Sequence, residues 1–117
     1  MRLVAQDPQS FQGRSEKEVD EVYVRVFHDP NCRLVAACDS GLIGETFREG
    51  KLKLEVKSDF YGGTRTSVTQ ALREIDSADV ANLVGNCIVE AAVQEQLVDP
   101  SAIVRIAGVP HVQIVRI

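Results

Sequence analysis

The side chains able to do chemistry in this sequence fall into three small groups. Between residues 48 and 65, the cations Arg48, Lys51, Lys53, Lys57 and Arg65 flank the aromatic pair Phe60-Tyr61. Cations beside an exposed ring suit phosphate contacts combined with base stacking. Arg48, Lys51, Lys53, Lys57, Tyr61 and Arg65 therefore form a candidate nucleic-acid surface. The opposing reading is a solvated strand face, with Glu55 among the lysines and Phe60 buried. A second group, Tyr61, Gly62, Gly63, Asn82, Gly85 and His111, is a candidate ligand pocket. It joins two glycine loops, a carboxamide and an imidazole that titrates near neutrality. The opposing reading has Asn82 satisfying the backbone of the loop at 108–111, and Gly62-Gly63 needing only positive φ.

The third group is soft metal ligands: His28, Cys32, Cys38, Cys87 and His111. No C-x-x-C pair and no H-x-x-x-H helix spacing organises them, so neither a metal nor a cofactor is expected. No nucleophile elbow or phosphate-loop pattern occurs, which favours a non-catalytic role. Tyr23, Arg25 and Phe27, on one face of an alternating segment, offer a further stacking platform or a surface covered by other parts of the chain.

Composition sets the frame for these groups. The chain of 117 residues is 44% hydrophobic and 26% charged, the balance of one ordinary globular domain. No run approaches the roughly 20 apolar residues of a membrane span. Three scattered cysteines argue against a disulfide framework and for a reducing cytoplasm. The net charge of −4 is uneven. From Thr66 to Pro100, Arg73 stands against Glu74, Asp76, Asp79, Glu90, Glu95 and Asp99. This balance argues against strong nonspecific nucleic-acid binding by the whole chain, though not against a local basic patch.

Several elements must position the three groups. Residues 1–20 are polar and mixed and read as a flexible extension, with Phe11 its one candidate anchor; 21–117 read as a single α+β domain. Glu21 to His28 alternates, Asp29-Pro30-Asn31 is a turn, and Arg33 to Cys38 completes a β-hairpin. Leu42 to Phe47 suits one helical turn or a short strand. Lys51 to Lys57 is a strand with Leu52, Leu54 and Val56 inward. Ser67 and Gln70 suit a capping box opening a short helix through Ile75. Ser77 to Leu97 reads as one long helix, because Val80, Leu83, Val84, Cys87, Ile88, Ala91 and Ala92 recur with helical period. No charge falls between Asp79 and Glu90. Asp99-Pro100 ends it. Ile103–Ile106 and Val112–Ile117 then form two strands joined through residues 107–111. The order β-β-(turn or short helix)-β-α-α-β-β predicts an α+β fold, a mainly antiparallel sheet with two helices packed on one face.

Five segments carry a family resemblance: Gly44-Glu-Thr-Phe-Arg-Glu-Gly50, Leu52 to Val56, Phe60-Tyr-Gly-Gly63, Ala81-Asn-Leu-Val-Gly85 and Ile106-Ala-Gly-Val-Pro-His-Val112. Together they resemble the archaeal domain-of-unknown-function family 424, from about Tyr23 onward. The resemblance implies a small archaeal cytoplasmic protein and brings no established activity with it. Three roles follow as expectations. The first is an RNA- or ribosome-associated binding module using the 48–65 surface. The second is a small-molecule binder or small enzyme with its site near Asn82, Gly85, Tyr61 and His111. The third is a homo-oligomer pairing through the C-terminal strand, whose apolar end leaves it prone to pairing unless covered.

Overall fold

The expected N-terminal hairpin forms as two eight-residue strands, β1 (Val22–Asp29) and β2 (Cys32–Asp39), in register from Val22 opposite Asp39 to Asp29 opposite Cys32. Proline sets the direction of the turn, and the Asn31 N–H donates to Asp29 Oδ1 at 3.1 Å. The computed structural model describes residues 21–116. The extension expected at 1–20, with Phe11, lies outside those residues, as does Ile117.

Residues 39–50 hold both alternatives left open above: a 3₁₀ turn at Ser40–Leu42 and a strand, β3 (Thr46–Glu49). β3 pairs antiparallel with β4 (Leu52–Glu55) in a two-stranded ribbon separate from the main sheet. Leu54 and Val56 are buried as the alternation requires. Leu52, at the turn end of the ribbon, is instead 51% exposed, because only the far half of β4 reaches the core. A short helix α1 (Ser58–Tyr61) and a short strand β5 (Thr64–Thr66) follow. Helix α2 (Val68–Asp76) is capped by Ser67, whose Oγ accepts the Gln70 N–H at 3.1 Å. The reciprocal half of the capping box is not made, since the Gln70 amide turns along the helix to Glu74.

The long helix expected over Ser77–Leu97 does not form. Val80–Val84 is a strand, β6, and only Asn86–Gln94 is helical, as α3. The run Val-Ala-Asn-Leu-Val fits a helix stripe and a doubly covered strand equally well; covering decides between them. β6 lies at the middle of the sheet, parallel to β2 and antiparallel to β8 (Val109–Val115). Asp79 sets its entry: its Oδ2 accepts the Arg33 N–H at 2.8 Å and its own N–H donates to the Arg33 carbonyl at 2.9 Å. Gly85, at φ +116°, ends the strand in a conformation no helix interior contains.

After α3, Asp99-Pro100 opens a 3₁₀ turn at Pro100–Ala102, and Asp99 accepts the Ser101 N–H. β7 (Val104–Ile106) then pairs with β8 through the two-residue turn Ala107-Gly108, both at positive φ as a type I′ hairpin requires. The six-stranded sheet runs β5-β1-β2-β6-β8-β7, with the β2–β6 pair its parallel one. This is the expected α+β class, a mainly antiparallel sheet with α2 and α3 packed on one face. Val22, Val24, Val35, Ala37, Ala81, Leu83 and Val112 face Ala71, Ile75, Ile88, Val89 and Ala92 across that core. The opposite face is covered as well, in part: Ala36, Cys38, Val84 and Ile106 lie under Leu54, Val56 and Tyr61 of the ribbon and α1. Among the described residues no helix is long and apolar enough to cross a membrane.

Candidate functional site

The candidate cations are not gathered into one surface. Arg48 and Lys53 are direct cross-strand neighbours on the ribbon, and Lys51 occupies its turn; all three are exposed. Lys53 pairs with Glu55 at 3.7 Å, and both partners are well solvated. The ribbon's turn end is tied to the β7 side of the sheet, where the Glu49 carboxylate accepts the Ala107 N–H at 2.6 Å. Arg65 sits on β5, at the other edge, held by Glu21 at 2.8 Å. Five strand spacings separate those edges, about 24 Å. Lys57 precedes α1, between the two.

Tyr61 does not belong to the nucleic-acid surface. It is 5% exposed and packs with Cys38, Leu54 and Val56, so its ring is unavailable for stacking on a base. Burial first, then the neighbouring Cys38, pushes its hydroxyl up to about 12. The Cys38 thiol is likewise pushed up to about 12, by burial and then by Asp39, which makes it a poor nucleophile at neutral pH. The platform Tyr23-Arg25-Phe27 is half-buried, and α1 covers part of it. Phe60 stacks on Phe27 at 5.3 Å between centroids, and Phe60 and Tyr61 meet edge to face at 4.9 Å.

The candidate pocket residues divide into two places. Gly85 and His111 are neighbours: the Gly85 N–H donates to the Pro110 carbonyl at 3.0 Å, and His111 lies opposite Val84. Burial holds the His111 imidazole below its usual range. Asn82 lies between Ala36 and Gln113 in the sheet, so it does not meet the backbone of the loop at 108–111. The space above Gly85 is filled by Asp39, whose carboxylate accepts the Cys87 N–H at 2.9 Å and the Ile88 N–H at 3.0 Å. That carboxylate caps α3 from a different element, at the positive end of the helix. The signal for it in the sequence is an Asp ending one buried strand and a Gly ending another, with nothing local to join them.

Tyr61, Gly62 and Gly63 lie on the other side of β1 and β2. Neither glycine has positive φ, contrary to the simple loop reading. A Cβ on Gly63 would stand 2.2 Å from the Val24 carbonyl oxygen, and one on Gly62 would stand 2.5 Å from that of Ser58. Close backbone approach explains both. Beside them is a recess of about 470 Å³ bounded by Arg25, Gly62, Gly63, Thr64, Gln70 and Glu74. The Arg25 guanidinium donates to the Gly62 carbonyl at 3.3 Å and lies 5.8 Å from the Phe27 ring centre, while its buried Nε has no partner among the described residues. Glu74 pairs with Arg33. No cluster of three His, Cys, Asp or Glu close enough to hold a metal exists among the described residues.

Fold and surfaces together define a small α+β sheet protein with a two-stranded ribbon laid over part of one sheet face and carrying exposed Arg48, Lys51 and Lys53. The chain belongs to the family of proteins of unknown function termed DUF424, whose profile matches residues 27–117. It is similar in fold to an uncharacterised conserved protein from Methanopyrus kandleri, known from a crystal structure. That match has a TM-score of 0.68 and 21% identity, over 80% of this chain and 90% of the other. A comparison with curated proteins gives no match.

Proposed function

We propose that this protein is a non-catalytic module of the cytoplasm that binds RNA, free or in the ribosome, through the β3–β4 ribbon. The observation that carries this reading is the exposed set Arg48, Lys51 and Lys53 on a two-stranded ribbon outside the main sheet. Leu52, 51% exposed between two of those lysines, adds an apolar contact for a base or ribose. Loss of Tyr61 from the surface shifts the mode from stacking towards phosphate contact. Three phosphate contacts give a shallow salt dependence, with log K falling at a slope of about −2 against log salt for a single strand. The test is RNA binding by the full chain across a salt series. A slope near that value, with affinity lost in Lys51→Glu/Lys53→Glu and retained in Arg65→Glu, supports the reading. Binding indifferent to the ribbon charges overturns it.

The recess beside Gly62 and Gly63 favours a second reading, a site for a small anionic ligand held by Arg25, Thr64 and Gln70. The specific observation behind it is the buried Arg25 Nε, which has no partner among the described residues. Melting temperature measured against inorganic phosphate and small carboxylates, in the wild type and in Arg25→Met, tests it. Equal response in both proteins removes it.

A further inference from the structure

β8 pairs with β6 from His111 to Val115 on one side, and is paired along less than half of its length on the other. β7 is three residues long and meets only Val109, Pro110 and His111. The Gly85 N–H to Pro110 carbonyl bond, and the Arg116 N–H to Asp79 carbonyl bond at 2.8 Å, fix which residues of β8 turn their backbone towards β6. These are the even-numbered ones, Val112, Ile114 and Arg116. By the alternation of an antiparallel ladder, the N–H and C=O groups of Gln113 and Val115 point outward. Among the described residues no strand stands opposite them.

Among the described residues the open stretch, Gln113 to Val115, carries neither a charge nor a proline. From Ile106 to Val115 there is no charged side chain. Val115 is 57% exposed, and Val104, at the end of the open stretch, is 49% exposed. The opposite edge is different. There Arg25 and Asp29 lie on β1, and Arg65 on β5 is paired with Glu21. Proteins blunt an edge with charge of this kind when the edge is to remain unpaired.

We propose that β8 pairs through this open side with β8 of a second copy of the chain, about a two-fold axis at Ile114. The register is self-complementary. Gln113 stands opposite the second copy's Val115, and Val115 opposite its Gln113, so the outward groups of both residues are satisfied by four main-chain hydrogen bonds. The two Ile114 side chains meet across the axis on the helix-covered side, where Ile114 is only partly buried by its own chain. Neither strand carries a charge that would repel its copy. A closed two-fold pair also removes an edge that would otherwise recruit chains without limit. This assembly does not depend on the RNA reading.

The test is the mass of the full chain in solution by sedimentation equilibrium, with hydrogen exchange at Gln113 and Val115. Twice the 12.8 kDa chain mass is expected, with both amides protected only at concentrations where the dimer forms. Val115→Pro removes an outward N–H and leaves the β6 pairing intact. It should weaken self-association by about tenfold or more. Exchange in the wild type decides the question even if that variant folds poorly. A monomer at all concentrations overturns the proposal, as does a dimer unchanged in a folded Val115→Pro. Protection that persists where sedimentation shows a monomer also overturns it, since the groups opposite would then come from the same chain.

Discussion

The carboxylate of Asp39 occupies the space a side chain on Gly85 would need: a Cβ there would stand 2.3 Å from Asp39 Cγ and 2.6 Å from Oδ2. β2 ends at Asp39 and β6 ends at Val84, one residue before Gly85, and the two strands are parallel neighbours. The end of one strand thereby caps the helix that follows the other. Gly85→Ala meets both the obstruction and a positive φ, and should destabilise the fold by about 2–3 kcal/mol. Gly41, with open space and ordinary φ, is the control: Gly41→Ala should be neutral or stabilising by about 0.5 kcal/mol. Urea denaturation midpoints of the two variants should move in opposite directions or by very different amounts.

Removing the cap itself has a different signature. Asp39→Ala leaves the Cys87 and Ile88 N–H groups without that acceptor and should cost about 1–2 kcal/mol. It also vacates the space against Gly85. The double variant Asp39→Ala/Gly85→Ala should therefore be more stable than the sum of the single losses predicts, a coupling that a double-mutant cycle measures directly.

Arg116 ties the last strand to α2. Its Nη1 donates to the carbonyls of Ile75 at 2.9 Å and Ala78 at 2.8 Å, on either side of the point where the helix ends. Arg116→Ala should lower stability by about 1–2 kcal/mol, and Arg116→Lys should recover part of it, because an ammonium reaches fewer of these oxygens at once. Thermal unfolding of the three proteins at one pH checks the order.

His111 supplies a pH dependence with a definite sign. Burial keeps its imidazole neutral in the folded protein, below the ordinary 6.5, so the unfolded chain takes up its proton first as pH falls. Stability from this residue is fully present above pH 6.5. It is lost progressively as pH falls from there through the depressed folded value. His111→Gln should flatten that part of the stability–pH curve, measured by urea midpoints between pH 7 and 5. A curve as steep as the wild type's assigns the effect elsewhere.

Local chemistry in the sequence determined the two hairpins, the buried valines of β1, the Ser67 cap and the α+β class. Each depends on alternation, a turn residue or a hydroxyl acting within a few positions. The same legibility holds for the exposed cations of the ribbon, which alternate with Leu54 on β4. It fails at Val80–Val84, where apolar residues on both sides of Asn82 fit a helix stripe and a strand equally well. Only pairing with β2 on one side and β8 on the other made it a strand. It fails again at the site residues. Tyr61 is buried because the ribbon and α1 fold over Cys38, and Arg65 is carried to the far edge because β5 pairs with β1. Gly85 and Asp39 are 46 residues apart in the chain. Nothing local joins them; the parallel pairing of their strands brings carboxylate, glycine and helix end together, and that contact is a property of the tertiary structure alone.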